Sequence, residues 1–301
     1  MILITGGTGL TGSAVVREFV RQGHRARALV RRPLPALPGI STVHGDLLAP
    51  DTLGPALDGV DTAVLISGAD GRMAEAQANL IDAAARCGVR RVVKVSGMGT
   101  DPDSSFRFAR LHARIEEHLR ASGIAWTILR PSQFMQVYLR EVPTMLADGE
   151  LTLPLGATRL APIDVEDIAK VVYAAATSDG HESAVHEMTG PQALTMAEVA
   201  EILTGIVGRP IRYVDLSPEE HHRRVVAAGV PAEFADDVAA LFRLRRAGSP
   251  ESTVDTTVFS ELGLRPTSFA DFAARAAQLF RGEVTPDRLW ASGWQAGSAA
   301  R

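Results

Sequence analysis

The stretch Thr5-Gly6-Gly7-Thr8-Gly9-Leu10-Thr11-Gly12 decides how the rest of the chain is read. It follows the apolar run Met1-Ile2-Leu3-Ile4 and precedes an amphipathic segment, residues 13–22. That succession predicts strand, tight turn and helix, beginning at the first residue. Gly6, Gly9 and Gly12 have the spacing G-x-x-G-x-x-G. In such a loop one glycine makes the turn, one lets the backbone approach a pyrophosphate, and one lets the helix pack close to the strand. The helix N-terminus then offers unpaired N–H groups and the positive end of its dipole to phosphates. The expectation is a dinucleotide-binding loop formed by Gly6, Thr8, Gly9, Leu10, Thr11 and Gly12, with Ser13 adding a further hydroxyl.

Outward from the loop, strand and helix alternate. Residues 25–30, 41–44, 62–66, 92–95 and 126–129 read as apolar, β-branched strands, and residues 51–57, 73–87 and 106–122 as helices between them. This alternation predicts an α/β fold, a Rossmann-type doubly wound parallel sheet with helices on both faces. Ligands of such sheets bind at the carboxyl ends of the strands. A helix over 165–177, with Asp164 as N-cap, and a strand over 185–189 complete this part. From Thr195 the chain reads as mostly helical, over 195–208, 218–229, 231–246 and 268–281, with Thr195 and Glu198 forming a capping box. The expected organisation is a nucleotide-binding domain over 1–190, with 136–160 contributing to the cleft, and a smaller, mainly helical lobe over 191–301. The tail from Glu283 carries Trp290 and Trp294, ends in Gly, Ser and Ala, and is expected to fray.

Composition narrows the class of partner. The 301 residues are 46% hydrophobic with a net charge of −4, enough for a sizeable core and without the basic stripe of a nucleic-acid binder. The only cysteine, Cys87, excludes an intramolecular disulfide and a multi-cysteine metal site, and is expected to pack as a small residue near a helix end. No His/Asp/Glu cluster has metal-ligand spacing. No run reaches the ~18 apolar residues of a membrane span, and the N-terminus has no basic leader. A cytoplasmic protein is expected, with no membrane or nucleic-acid partner. No motif demands a homodimer, which is a common state of soluble proteins.

The strand ends carry the cofactor reading. The second strand ends at Arg31-Arg32 with no nearby acid. A free ribose 2′-OH usually meets Asp or Glu there, and a 2′-phosphate meets Arg, so NADP(H) is favoured over NAD(H). Asp46, followed by Leu47, either accepts from the adenine amino group or caps the next helix. Ser67-Gly68 and Ser96-Gly97 are small residues where a ribose or nicotinamide must pass. The segment Arg130-Pro131 to Tyr138 leaves the sixth strand beside the expected nicotinamide position. There Phe134, Met135 and Tyr138 form an apolar wall for a flat aromatic substrate, or else pack as core between the lobes.

With these features the chain resembles the NmrA-like family of atypical short-chain dehydrogenases/reductases. The resemblance rests on residues 5–12, Gly45-Asp46, Lys94-Val95-Ser96, the segment Trp126 to Met135, Ile163-Asp164-Val165-Glu166-Asp167-Ile168-Ala169, and Ser268-Phe269-Ala270-Asp271-Phe272. It implies the Rossmann-type fold and an activity among NADPH-dependent quinone reductases, triphenylmethane-dye reductases and non-enzymatic nucleotide-sensing regulators.

The chain departs from the wider superfamily at its catalytic helix. Ordinary members use Tyr-x-x-x-Lys and a serine at the end of the fifth strand. Here Ser96 is present, but Phe108 stands in place of the tyrosine and His112 in place of the lysine. Phe108 cannot donate a proton. Reducing a plain ketone creates an alkoxide that needs a positioned acid, worth about 10²–10⁴-fold. A quinone or a cationic dye gives a phenolate-like or neutral product that solvent can protonate. The expected activity is therefore NADPH-dependent hydride transfer to a quinone-like or other activated aromatic acceptor, with Ser96 and His112 as the catalytic candidates. His112 either bonds the nicotinamide ribose, donates a proton, or pairs on the helix surface with Glu116. A tailoring enzyme of aromatic natural products and a non-catalytic NADP(H) sensor are the alternatives.

Overall fold

The computed structural model describes residues 1–32 and 35–284. Strand β1 (Ile2–Ile4) leads through the glycine turn into α1 (Leu10–Arg21), then β2 (Ala26–Val30), β3 (Ile40–His44) and the short α2 (Leu53–Leu57). Next come β4 (Thr62–Leu65), α3 (Met73–Arg86), β5 (Arg91–Val95), α4 (Arg107–Ala121) and β6 (Ala125–Pro131). A 3₁₀ turn over Met135–Glu141, α5 (Val142–Asp148) and β7 (Glu150–Leu151) follow, then α6 (Val165–Thr177) and β8 (Ala184–Met188). The remainder is α7 (Met196–Val207), β9 (Arg212–Tyr213), α8 (Pro218–Ala227), α9 (Ala232–Ala247), α10 (Thr257–Glu261), α11 (Phe269–Arg275) and α12 (Ala277–Phe280).

Seven strands form one parallel sheet in the order β3-β2-β1-β4-β5-β6-β8, the order of a Rossmann-type fold. Side chains alternate across the strands, so each strand feeds two cores. On one face Val93, Val95 and Leu129 pack against α1 and α6, and α10 returns to this core through Val258 and Phe259. On the other face Val92 and Ile128 pack against α3 and α4. A third core gathers Met135, Tyr138, Leu139, Met145 and Leu151 with Val199, Leu203, Phe242, Phe269 and Phe280. The covering lobe thus draws on two separate stretches, one after β6 and one from α7 onward. The parallel pair β7-β9 joins them.

Asp164 caps α6 by accepting from Glu166 N, and the capping box of Thr195 and Glu198 opens α7. The helix expected over 268–281 is interrupted at Ala276 (φ −92°, ψ 15°), giving α11 and α12. Cys87 does not pack: it is exposed at the C-cap of α3. Trp290 and Trp294 lie outside the described residues. Among the described residues no helix is long and apolar enough to cross a membrane.

Candidate active site

The glycine turn sits at the carboxyl end of β1, beside β4. Gly6 has φ +66°, and a Cβ there would lie 2.7 Å from Ile66 O. A Cβ on Gly12 would lie 2.0 Å from Gly6 O, so the first turn of α1 packs directly on the loop. Thr5 Oγ1 donates to Ile66 O (2.6 Å) and accepts from Ile66 N (2.9 Å), fixing the loop to the end of β4. The N-cap of α1 is Gly9, and no side chain caps it. The helix therefore starts in a tight, glycine-lined cradle with no side-chain cap among the described residues, and these residues fit a pyrophosphate. Thr11 is buried at the start of α1, and Thr8 is exposed in the turn. Ser13 Oγ is turned back to Leu10 O (3.1 Å).

The other expected cofactor residues gather along the same edge of the sheet. Arg31 and Arg32 are exposed just past β2. Asp46 Oδ1 accepts from Leu48 N (2.9 Å), a local turn rather than a helix cap, since the N-cap of the following 3₁₀ turn is Ala49. Leu47 O accepts from Asn79 Nδ2 (2.8 Å). Ser67 Oγ accepts from Gln77 Nε2 (2.8 Å) and lies beside Gly68.

Past the ends of β5 and β6 opens a cavity of about 390 Å³. Ser96, Gly97, His112 and Pro131 line it on the sheet side. Phe108 and Phe134 form apolar walls, closed above by Phe234, Val238 and Phe242 of α9. Phe108 packs edge-on to Phe106 at 5.6 Å and lies 6.2 Å from Phe234. None of the three tyrosines lines the cavity.

Two of the three expected wall residues are elsewhere. The 3₁₀ turn after β6 rotates Met135 and Tyr138 into the third core, where both are buried and Tyr138 meets Phe269 edge-on at 5.0 Å. Burial pushes the Tyr138 phenol well above its ordinary pKa, and its place in the third core keeps it off the cavity lining. Val137 takes the place beside Phe134 instead.

A buried polar cluster lies directly behind the cavity. Alternation puts Lys94 and Ser96 on the α4 side of the sheet, and the spacing i, i+4, i+8 puts Phe108, His112 and Glu116 on the facing side of α4. Ser96 Oγ donates to Glu116 Oε1 (2.6 Å). Arg130 of β6 reaches the same carboxylate through Nε (3.0 Å) and Nη2 (2.6 Å), and Arg120 adds a contact at 3.0 Å. His112 therefore does not pair with Glu116. Its Nδ1 lies 3.0 Å from Lys94 Nζ. Burial opposes charge on Glu116, yet the Arg130 and Ser96 hydrogen bonds hold its carboxyl below the usual range. Burial, reinforced by Lys94 and Arg130, pushes His112 well below its ordinary value, so the ring is neutral at pH 7. Burial brings the Lys94 ammonium down to about 7, against the pull of Glu116.

Sequence reading missed Lys94 as a site residue, although one lysine in an otherwise apolar central strand is a visible signal. It also missed the buried ion pair at the lobe side of the cavity. There Arg245 of α9 binds both oxygens of Glu251 (2.6 and 2.8 Å) and donates to Gln133 Oε1 (2.5 Å).

The sheet order, the glycine cradle and the cavity at the strand ends define a Rossmann-type α/β protein with a covering lobe. The chain belongs to the NmrA-like family, whose model matches residues 1–273. It is 37% identical over 285 residues to an NAD(P)H azoreductase of Xenophilus azovorans, covering 93% of this chain and 99% of that protein. It is 33% identical over 293 residues to a (4-alkanoyl-5-oxo-2,5-dihydrofuran-3-yl)methyl phosphate reductase of Streptomyces griseus, covering 94% of this chain and 100% of that protein. Among solved structures it resembles the NADPH complex of the Escherichia coli quinone oxidoreductase QOR2. The TM-score is 0.83 at 29% identity, over 91% of this chain and 99% of that one.

Proposed function

We propose that this protein is an NADPH-dependent reductase of quinones, azo compounds and other activated aromatic acceptors. The observation that carries the reading is the cavity itself: it opens at the carboxyl ends of β5 and β6, has aromatic walls, and contains His112 but no tyrosine hydroxyl. The activities of the azoreductase and quinone oxidoreductase relatives support it.

In this reading residues 1–190 hold the cofactor, and the lobe over 191–301, with residues 136–160, shapes the acceptor site. Gly6, Thr8, Gly9, Leu10, Thr11 and Gly12 hold the pyrophosphate, and Arg31 and Arg32 meet the 2′-phosphate with their exposed guanidinium groups. Asp46 and Leu47 flank the adenine, while Ser67, Gly68, Ser96, His112 and Pro131 leave a passage for the ribose and nicotinamide. Bound NADPH supplies a hydride. Phe134 and Phe108 hold a flat ring, and α9 covers it, excluding water from the reacting face. Ser96 is committed to Glu116 and orients the floor of the site. His112 is the group that faces the acceptor.

The test is NADPH oxidation followed by absorbance with a naphthoquinone, an azo dye and an aliphatic ketone. Turnover of the first two over the third is expected. Faster turnover of the ketone would overturn the assignment.

A further inference from the structure

The wall of the cavity contains an arrangement that the missing tyrosine does not explain. Lys94 is fully buried on a central strand, and its amine reaches no carboxylate among the described residues. The oxygens of the nearby Glu116 are taken by Ser96, Arg130 and Arg120. Among the described residues the amine meets Val95 O at 3.4 Å and His112 Nδ1 at 3.0 Å. A methionine would fill the same space without desolvating a charge, so packing gives no reason for a lysine here.

The imidazole of His112 spans the distance from this amine to the cavity. Its Nδ1 faces Lys94. Its opposite edge faces Gly97, where a Cβ would lie 3.6 Å from Cδ2 and 3.8 Å from Nε2, and both residues line the cavity. An ammonium can only donate, so Nδ1 accepts, and the neutral ring carries its hydrogen on Nε2, toward the acceptor.

We propose that Lys94 and His112 form a proton relay that protonates the reduced acceptor, His112 touching the acceptor and Lys94 acting through it. The inference rests on the reductase reading above. In reduction of an azo bond, the reductant's hydride adds to one nitrogen and the N=N π pair moves onto the other. That nitrogen takes the proton from Nε2, the Nε2–H bond breaking as the new N–H bond forms. Nδ1 takes a proton from Lys94 Nζ, leaving a neutral amine and a neutral imidazole of the other tautomer. After product leaves, water protonates Nε2, and the Nδ1 proton returns to Lys94. The lysine that ordinary superfamily members carry on the helix is thus replaced by one on the adjacent strand.

The titratable and charged groups facing Lys94 are His112 and Glu116 from α4 and Arg130 from β6. Arg120 acts through Glu116, and Glu187 of β8 through Arg130. Glu116 favours the ammonium and Arg130 opposes it, while burial dominates. The relay is loaded below neutral pH and empties as pH rises past about 7.

Two measurements decide it. In the cofactor-free protein, nitrogen NMR of the His112 ring is expected to give the Nε2–H tautomer at pH 6, with a titration near pH 7 that disappears in Lys94→Met. A ring protonated on Nδ1 at pH 6, or one indifferent to pH and to the substitution, would overturn the relay. In turnover, Lys94→Met is expected to slow an azo dye at least about tenfold and abolish the fall in kcat above pH 7. With a cationic triarylmethane dye, whose reduction yields a neutral product without a proton, the loss is expected to be far smaller. Equal losses for both dyes would make Lys94 merely structural and overturn the proposal. If the wild-type protein oxidises NADPH with neither dye, the reductase reading falls, while the NMR titration still decides the pairing.

Discussion

Ser96 Oγ donates a 2.6 Å hydrogen bond to the buried Glu116 carboxylate, which also receives both arms of the Arg130 fork. The serine at the end of β5 therefore spends its only proton inside the protein and has none to offer a substrate oxygen. Its contribution is to the shape and charge of the site floor. Ser96→Ala is expected to keep kcat within about tenfold of the parent, well short of the 10²–10⁴ that a proton donor contributes. The same change is expected to lower stability by about 1–3 kcal/mol, because a buried carboxylate loses a donor. Denaturant melts and steady-state kinetics on one preparation check both numbers.

The Glu116–Arg130 pair is a heavier constraint. Glu116 is fully buried and Arg130 is its bidentate partner. Breaking a buried pair typically costs about 3–5 kcal/mol, and the low end applies here because Arg130 is one-fifth exposed and keeps Glu187 at 3.4 Å. Glu116→Ala is expected to lose stability on that scale, and an unchanged unfolding midpoint would show that the pair is not intact.

At the cradle, Gly12→Ala places a methyl group where Gly6 O already stands, 2.0 Å from the ideal Cβ. Gly9→Val adds a branched side chain at the uncapped start of α1. Both are expected to abolish NADPH binding, the first also destabilising the fold. Fluorescence titration of NADPH against the folded Gly9 variant checks this, and unchanged affinity would remove the pyrophosphate from this loop.

In the proposed function, cofactor choice rests on Arg31 and Arg32, both exposed beyond β2. Their joint replacement by Ala is expected to weaken NADPH at least tenfold, on the order of the 1.5–3 kcal/mol of a hydrogen bond to a charged group. NADH is expected to change by less than twofold. Equal losses would mean that neither arginine reads the 2′-phosphate.

Burial pushes Glu141, at the cavity rim, up to about 7 from an ordinary value of 4.5, with Arg140 and Thr152 opposing. The folded chain then holds this proton more tightly than the unfolded chain. Stability from this group is fully present below pH 4.5, falls as pH rises to about 7, and is flat above. Glu141→Gln is expected to raise the Tm more at pH 8 than at pH 4.5. Equal shifts at both pH values would contradict the assignment.

The sheet was legible because its central strands are short, mostly apolar and followed by Gly, Ser or Arg-Pro, and because the glycine loop fixes where the first helix begins, while the edge strands β3 and β8 carry polar residues. The lobe was less so. The 3₁₀ turn over Met135–Glu141, α5 and the two-residue strands β7 and β9 are too short for a period to register, and they are held by contacts with distant residues. Met135 and Tyr138 carried the composition of a cleft wall, but their direction depends on that turn. Lys94 shows in sequence as a charge in an apolar strand, but its partner, like the Arg245–Glu251 pairing, does not, for a related reason. A charge inside a core is explained only by partners brought from other elements, here His112 from α4 for the lysine and Glu251 for the arginine.

The most direct test of the account is NADPH oxidation by the wild-type protein with a naphthoquinone, an azo dye and an aliphatic ketone under identical conditions. Aromatic walls that hold flat, electron-poor rings are expected to make the quinone and the azo dye turn over faster than the aliphatic ketone, which gains nothing from those walls. Comparable turnover of the ketone, or tight NADPH binding with turnover of none of the three, would contradict it.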